Sequence, residues 1–277
     1  MRNFPVAALR LSLAVAVFSA FCLPVRAQTS AADVDRRPVV VELFTSEGCS
    51  SCPPADLLLQ KLEAQQPVSG AEIIALEEHV DYWNHDGWVD PYSSPEWTAR
   101  QQIYATLHHK DSYTPEMVID GQSQFVGNNP REAKLEIERA AGAAKTQVVI
   151  TAAQTDSKGS LFHVSVGRLV GGTSGDVAEI WLAVTEDGLH SSVSRGENAG
   201  HVLQHVATLR SLHKIGVADA SRTPVSFAAD PVVKFDSHWN TGKLHVTIFV
   251  QRKKSREILG AASTAIQETT ANSKQAS

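Results

Sequence analysis

Cysteine is scarce in this chain, with three in 277 residues, and that scarcity excludes a fold held together by a disulfide framework. After the first 27 residues no apolar run approaches the ~20 residues that a membrane-crossing helix needs, so no span is expected there. Positive charge is not in excess either. The 25 Lys and Arg are outnumbered by 30 Asp and Glu. Loss of residues 1–27 would remove three arginines and no acid, which leaves about −8 and argues against nucleic acid as a partner. No internal repeat is found, so a solenoid or array is excluded.

What is present begins with a secretory pattern. Arg2 and Arg10 flank the start, Leu11 to Leu23 are apolar, and Val25-Arg26-Ala27 ends in a small residue, so residues 1–27 read as a cleavable signal peptide. The protein is therefore expected in the periplasm or outside the cell. Cys22 falls inside that segment, where the bulky Phe21 argues against a lipid anchor, and the mature chain keeps Cys49 and Cys52.

The remaining length suits two domains, because the hydrophobic period changes near residue 145. Val39 to Phe44 is a β-branched apolar run fit for a central strand, and a helix is expected from about Ser50 to Gln65. A second buried strand covers Glu72 to Leu76. Ser94 and Pro95 then open a helix that runs to about His108. Two short strands around Asp120-Gly121 form a hairpin, and a further helix spans about Pro130 to Ala144. The expectation for residues 38–145 is an α/β domain, a mixed sheet flanked by helices. Beyond it the period falls to two, which predicts an antiparallel, β-rich, sandwich-like domain over residues 146–262. Val202 to Leu212 reads equally as strand or helix. Residues 263–277 are expected to be a disordered tail.

The chemistry concentrates at Gly48-Cys49-Ser50-Ser51-Cys52-Pro53-Pro54, which follows a strand and opens a helix. That context favours a redox pair: two intervening residues bring the sulfurs within bonding reach, and the first lies where the helix dipole favours thiolate. Cys49 would attack and Cys52 would resolve the mixed disulfide. Glu47 beside them would oppose thiolate formation. Glu42, an acid inside the apolar first strand, is a candidate proton carrier for Cys52. Thr114-Pro115 precedes a strand, where a cis peptide would account for a proline that cannot join the ladder.

These residues resemble the thioredoxin-like superfamily over residues 38–145. The resemblance implies a nucleophilic Cys49, a resolving Cys52, a buried acid at Glu42 and a cis-proline at Pro115 that helps to hold the substrate chain, with Thr114 beside it. This chain departs from it in Ser50-Ser51 between the cysteines, in one extra residue between Glu42 and Cys49, and in lacking a tryptophan before Cys49. The whole mature chain is similar to the bacterial secreted family known as domain-of-unknown-function family 1223. The similarity rests on Glu42 to Asp56, His79-Val80-Asp81-Tyr82-Trp83, Tyr113-Thr114-Pro115 and Arg195-Gly196-Glu197-Asn198-Ala199-Gly200.

The residues leave three functions open. The first is a thiol–disulfide oxidoreductase acting on protein or small thiols of the periplasm without a cofactor, with Trp83 and Trp88 forming an apolar wall for the substrate. The second is a copper- or zinc-binding or chaperone-like protein in which Cys49 and Cys52 join His79, near Asp81, His85 and Asp86. The third is a binding module with a structural disulfide. The loop Arg195 to Asn198 is a candidate for facing Cys49 from the second domain.

Overall fold

The structure, a computed structural model, describes Met1 and residues 36–171, 177–219 and 224–267. The leader expected at 1–27 lies outside the described residues apart from Met1, as does the stretch 268–277 of the expected tail.

Strand β1 (Arg37–Thr45) is followed by helix α1 (Pro53–Gln65), strand β2 (Ala71–His79), helix α2 (Pro95–Leu107), strands β3 (Glu116–Ile119) and β4 (Ser123–Val126), and helix α3 (Pro130–Gly142). The rest is strands: β5 (Val148–Asp156), β6 (Gly159–Val166), β7 (Ala178–Glu186), β8 (Leu189–Ser192), β9 (Val202–His205), β10 (Thr208–Val217), β11 (Phe227–Ala229), β12 (Val232–Lys234), β13 (Leu244–Arg252) and β14 (Ile258–Ala265). The ambiguous stretch from Val202 is thus two strands.

Local chemistry sets the boundaries. The Ser94 hydroxyl caps α2 by accepting from the Glu96 N–H, and Pro95 occupies the first turn, where its missing donor is no loss. Asp120 and Gly121, both at positive φ, make the tight turn between β3 and β4. Helix α1 starts at Pro53, not near Ser50, and Cys49 to Cys52 form a turn ahead of it.

The expected fold class is overturned. The thioredoxin-like α/β layer and the separate β-sandwich do not exist as such, because one eight-stranded mixed sheet, in the order β14-β13-β7-β10-β2-β1-β3-β4, runs through both halves. The junction is β10 beside β2, parallel, with Thr208 opposite Glu77. The physical reason lies in β7 and β13. Their residues are buried on both faces almost without interruption, as suits the interior of a covered sheet rather than a half-solvated sandwich leaf. Among the described residues only three α-helices occur, so most of the covering is not helical.

One face of this sheet carries α1 and α3 over Val39, Val41, Leu43 and Ile73. Farther along the same face, β6 pairs with β5 along its length and with β11 and β12 at its two ends. This small sheet packs Phe162, Val164 and Val166 on Ile180, Leu182 and Ile248. The opposite face buries Val40, Leu76, Ala183 and Phe249 together with Trp97 of α2. The ends of β1 and β2, the segment 80–94 and the segment 193–205 meet at one rim, which positions the site.

Candidate functional site

The turn after β1 is tied at each step. The Cys49 N–H donates to the Ser46 carbonyl at 3.2 Å and the Cys52 N–H to the Cys49 carbonyl at 3.2 Å, while Ala55 and Asp56 donate to the Cys52 carbonyl as α1 begins. Cys49 and Cys52 are disulfide-bonded with Cα atoms 5.5 Å apart. Both are fully buried, but Ser50 and Ser51 between them are exposed, so the cover is thin.

Two segments make that cover. Asn198 Nδ2 donates to the carbonyls of Glu47 at 2.8 Å and Cys49 at 3.0 Å, and the Glu197 carboxylate accepts from the Ser50 N–H at 2.9 Å. The loop around Arg195 to Gly200 therefore does face the pair. On the other side Trp83 crosses Gly48, where a Cβ would sit 3.0 Å from the Trp83 Cβ. Its indole N–H donates to the Thr114 hydroxyl at 2.7 Å. The Thr114–Pro115 peptide is cis. Pro115 shares the niche at Gly127 with Leu43 and with Ala55 of α1, a niche that a Cβ at residue 127 would overfill. The structure thus gathers Cys49, Cys52, Trp83, Thr114 and Pro115 around the start of α1. Trp88 joins through its indole N–H, which donates to Glu47 Oε2 at 2.7 Å.

Glu42 lies elsewhere. Strand alternation sends it to the face of β1 opposite α1, where Arg100 bonds its Oε1 at 2.5 Å and the Tyr104 hydroxyl bonds its Oε2 at 2.6 Å. Glu78 lies beside this pair, 3.5 Å from Arg100 Nε. Burial, with the Glu42 charge second, pushes the Glu78 carboxyl well above the usual range.

A second buried polar group, which sequence reasoning did not assemble, lies on the α1 side of the rim. His79 Nδ1 is 2.7 Å from Asp90 Oδ2, and His79 Nε2 is 3.6 Å from Glu77 Oε2. Glu77 Oε1 is 3.2 Å from His205 Nδ1, and His205 Nε2 is 3.1 Å from Glu47 Oε1. Both imidazoles meet the ring of Tyr92 edge-on. Burial works against charge on His79 and His205, but the carboxylates override it: Asp90 and Glu77 hold His79 well above its usual range, and Glu77 and Glu47 hold His205 at about 9. Glu77 itself, raised by burial, is brought down to about 2 by His205 and His79. Asp56, which accepts from the Thr45 hydroxyl at 2.6 Å, goes the other way, to about 7, through burial and then the charge of Glu77.

His79 thus belongs to this group. His85 and Asp86 are exposed, and the Asp81 carboxylate accepts from the Thr98 hydroxyl of α2. The signal for Glu77 and His79 was their place at the end of the apolar run Ile73 to Leu76. His205, 128 residues from Glu77 in the chain, carried no such signal. Among the described residues, no helix is long and apolar enough to cross a membrane.

A family model described as "Protein of unknown function (DUF1223)" matches residues 40–251. No curated protein matches the chain. Among solved structures, a structural-genomics target from Agrobacterium tumefaciens is similar at 24% identity and a TM-score of 0.58, covering 83% of this chain and 95% of that one. HBP35 of Porphyromonas gingivalis is similar at 16% identity and a TM-score of 0.64, covering 87% of this chain and 80% of that one. Likeness at these identities speaks for the fold alone.

Proposed function

We infer, starting from the fact that this chain belongs to the DUF1223 family and so inherits no assigned reaction, that it is a periplasmic thiol–disulfide exchange protein working through Cys49 and Cys52. The observation that carries this reading is the bond between the two cysteines in the turn ahead of α1, beneath a cover made of a few side-chain hydrogen bonds.

In the reducing direction Cys49 thiolate attacks a partner disulfide, one partner sulfur leaves and takes up a proton, and Cys52 then attacks Cys49 to free the second partner sulfur. The pair gives up two electrons and two protons and ends as the disulfide. The oxidising direction is the reverse, with a partner dithiol as electron donor. Asp56, one helical turn beyond Cys52 and titrating at about 7, is suited to take up or release the Cys52 proton. That role fits Asp56 better than Glu42, which is committed to Arg100 and Tyr104. Pro115 and Thr114 would line the place of a partner backbone, with Trp83 and Trp88 as its apolar border. Since both sulfurs are buried, the loop around Glu197 and Asn198 must lift before a partner enters, so this loop selects partners.

Reduction of insulin in the presence of dithiothreitol tests the reading. The protein should accelerate it and a Cys49→Ser variant should not. Equal rates for the two, or a reduction potential below about −300 mV, would mark the bond as structural and end the proposal.

A further inference from the structure

The group Glu77, His79 and His205 is built like a metal centre rather than like a hydrogen-bonded filler. We propose that these three side chains bind one zinc(II) ion, with a water in the fourth position, at a site that does not use the cysteines.

Charge is the first argument. Four buried carboxylates, Glu47, Asp56, Glu77 and Asp90, share this region with two imidazoles, and among the described residues no Lys or Arg forms an ion pair with any of the four. Two other buried acids of the fold are treated differently. Glu42 has Arg100 and Asp120 has Lys145. The rim group answers its carboxylates with imidazoles alone, and a bound metal ion could take the place of the protons those imidazoles hold.

Geometry is the second. One candidate ligand atom from each of the three residues lies within 4.8 Å of the others. Zinc bonds of about 2.0–2.2 Å at a tetrahedral angle put neighbouring ligand atoms roughly 3.4 Å apart. His79 Nε2 lies 3.6 Å from Glu77 Oε2 and His205 Nδ1 lies 3.2 Å from Glu77 Oε1, so the two imidazoles face the two oxygens of one carboxylate at about that spacing. His79 Nε2 is fully buried and has no hydrogen-bond partner, so an ion that displaced its proton would find a ligand nitrogen already facing Glu77.

The outer partners are the third argument. Asp90 bonds His79 Nδ1 and Glu47 bonds His205 Nε2, in each case the nitrogen turned away from Glu77. A carboxylate on the far nitrogen fixes the tautomer, aims the near nitrogen and raises its basicity, as is usual for histidine ligands of zinc. Both imidazoles have such a partner. A surface pocket of about 460 Å³ bordered by Gln60, His190 and Gln204 reaches His205, the ligand nearest solvent. Two histidines, one glutamate and an open position suit zinc with a bound water.

The test uses the oxidised chain from residue 28 onward, shown beforehand to contain no free thiol, stripped with a chelator and titrated with zinc(II) against a chromogenic competitor. One equivalent should bind. His205→Gln should weaken binding at least 100-fold, and Asp90→Asn, which keeps every ligand, should weaken it 10- to 100-fold. Cobalt(II) in the unaltered protein should give ligand-field bands with no thiolate charge-transfer band, a readout that needs no variant to fold. Absence of zinc binding by the oxidised protein, or a thiolate band with cobalt, overturns the proposal. Neither result touches the insulin assay, so the two readings stand or fall separately.

Discussion

At the scale of single residues, the molecule holds two buried ionisable groups back to back across β1 and β2, and they obey different rules. Arg100 answers two buried acids, Glu42 and Glu78. Arg100→Leu would leave Glu42 buried without its countercharge, and the expected cost is about 3–5 kcal/mol in urea unfolding. Asp56 behaves oppositely. Its carboxyl is raised from 3.8 to about 7 in the fold, so between those values the native state holds a proton that the unfolded chain has lost, and stability falls as pH rises through that window. Asp56→Asn keeps the acceptor for Thr45 and removes the ionisation. The metal-free variant should match the parent near pH 4 and exceed it at pH 8, by on the order of 3 kcal/mol, in denaturant midpoints taken across pH. A variant that is less stable at pH 8 would show that the carboxylate is held favourably.

At the scale of elements, legibility in the sequence followed the range of the interaction. The β3–β4 hairpin, the Ser94 cap and the cis-proline were readable because each is settled by two or three adjacent residues. So was the closeness of Cys49 to Cys52. The partners of Glu77 were not, since a carboxylate ending an apolar strand says only that something must answer it, and His205 arrives from a strand in the other half of the chain. Burial was misread for a related reason. A period of two was expected for the second half, including Ala178 to Thr185, where nearly every side chain is covered. The loop over the disulfide is itself a testable element. Asn198→Ala deletes two buried hydrogen bonds to the Glu47 and Cys49 carbonyls. The Cys49–Cys52 bond should then be reduced by dithiothreitol several-fold faster than in the parent, as followed by thiol trapping, with unfolding shifted by about 1–3 kcal/mol. An unchanged rate would mean that Asn198 does not control access.

At the scale of the whole molecule, the continuous sheet makes the two sequence halves interdependent. Val40 and Leu76 are buried in a layer that contains Trp97 of α2 but also Ala183, Leu209 and Phe249, so the first half presents an apolar face that it covers only in part by itself. A fragment of residues 36–145 should therefore show no cooperative thermal transition, whereas residues 28–277 should unfold in one step by circular dichroism. A sharp transition in the fragment would make the shared layer dispensable.

Glu47 has one end at the disulfide and the other at the histidines. Its backbone oxygen receives Asn198, which covers the disulfide, and its side-chain oxygens receive His205 and Trp88. Any change at one end is a change in the other end's surroundings, and free energy passed between two sites is the same whichever site is altered first. If an ion at the histidines makes the sulfur bond harder to break, breaking that bond must loosen the ion by the same factor. Through a single glutamate, the protein would then report on metal supply and on oxidation state with one response.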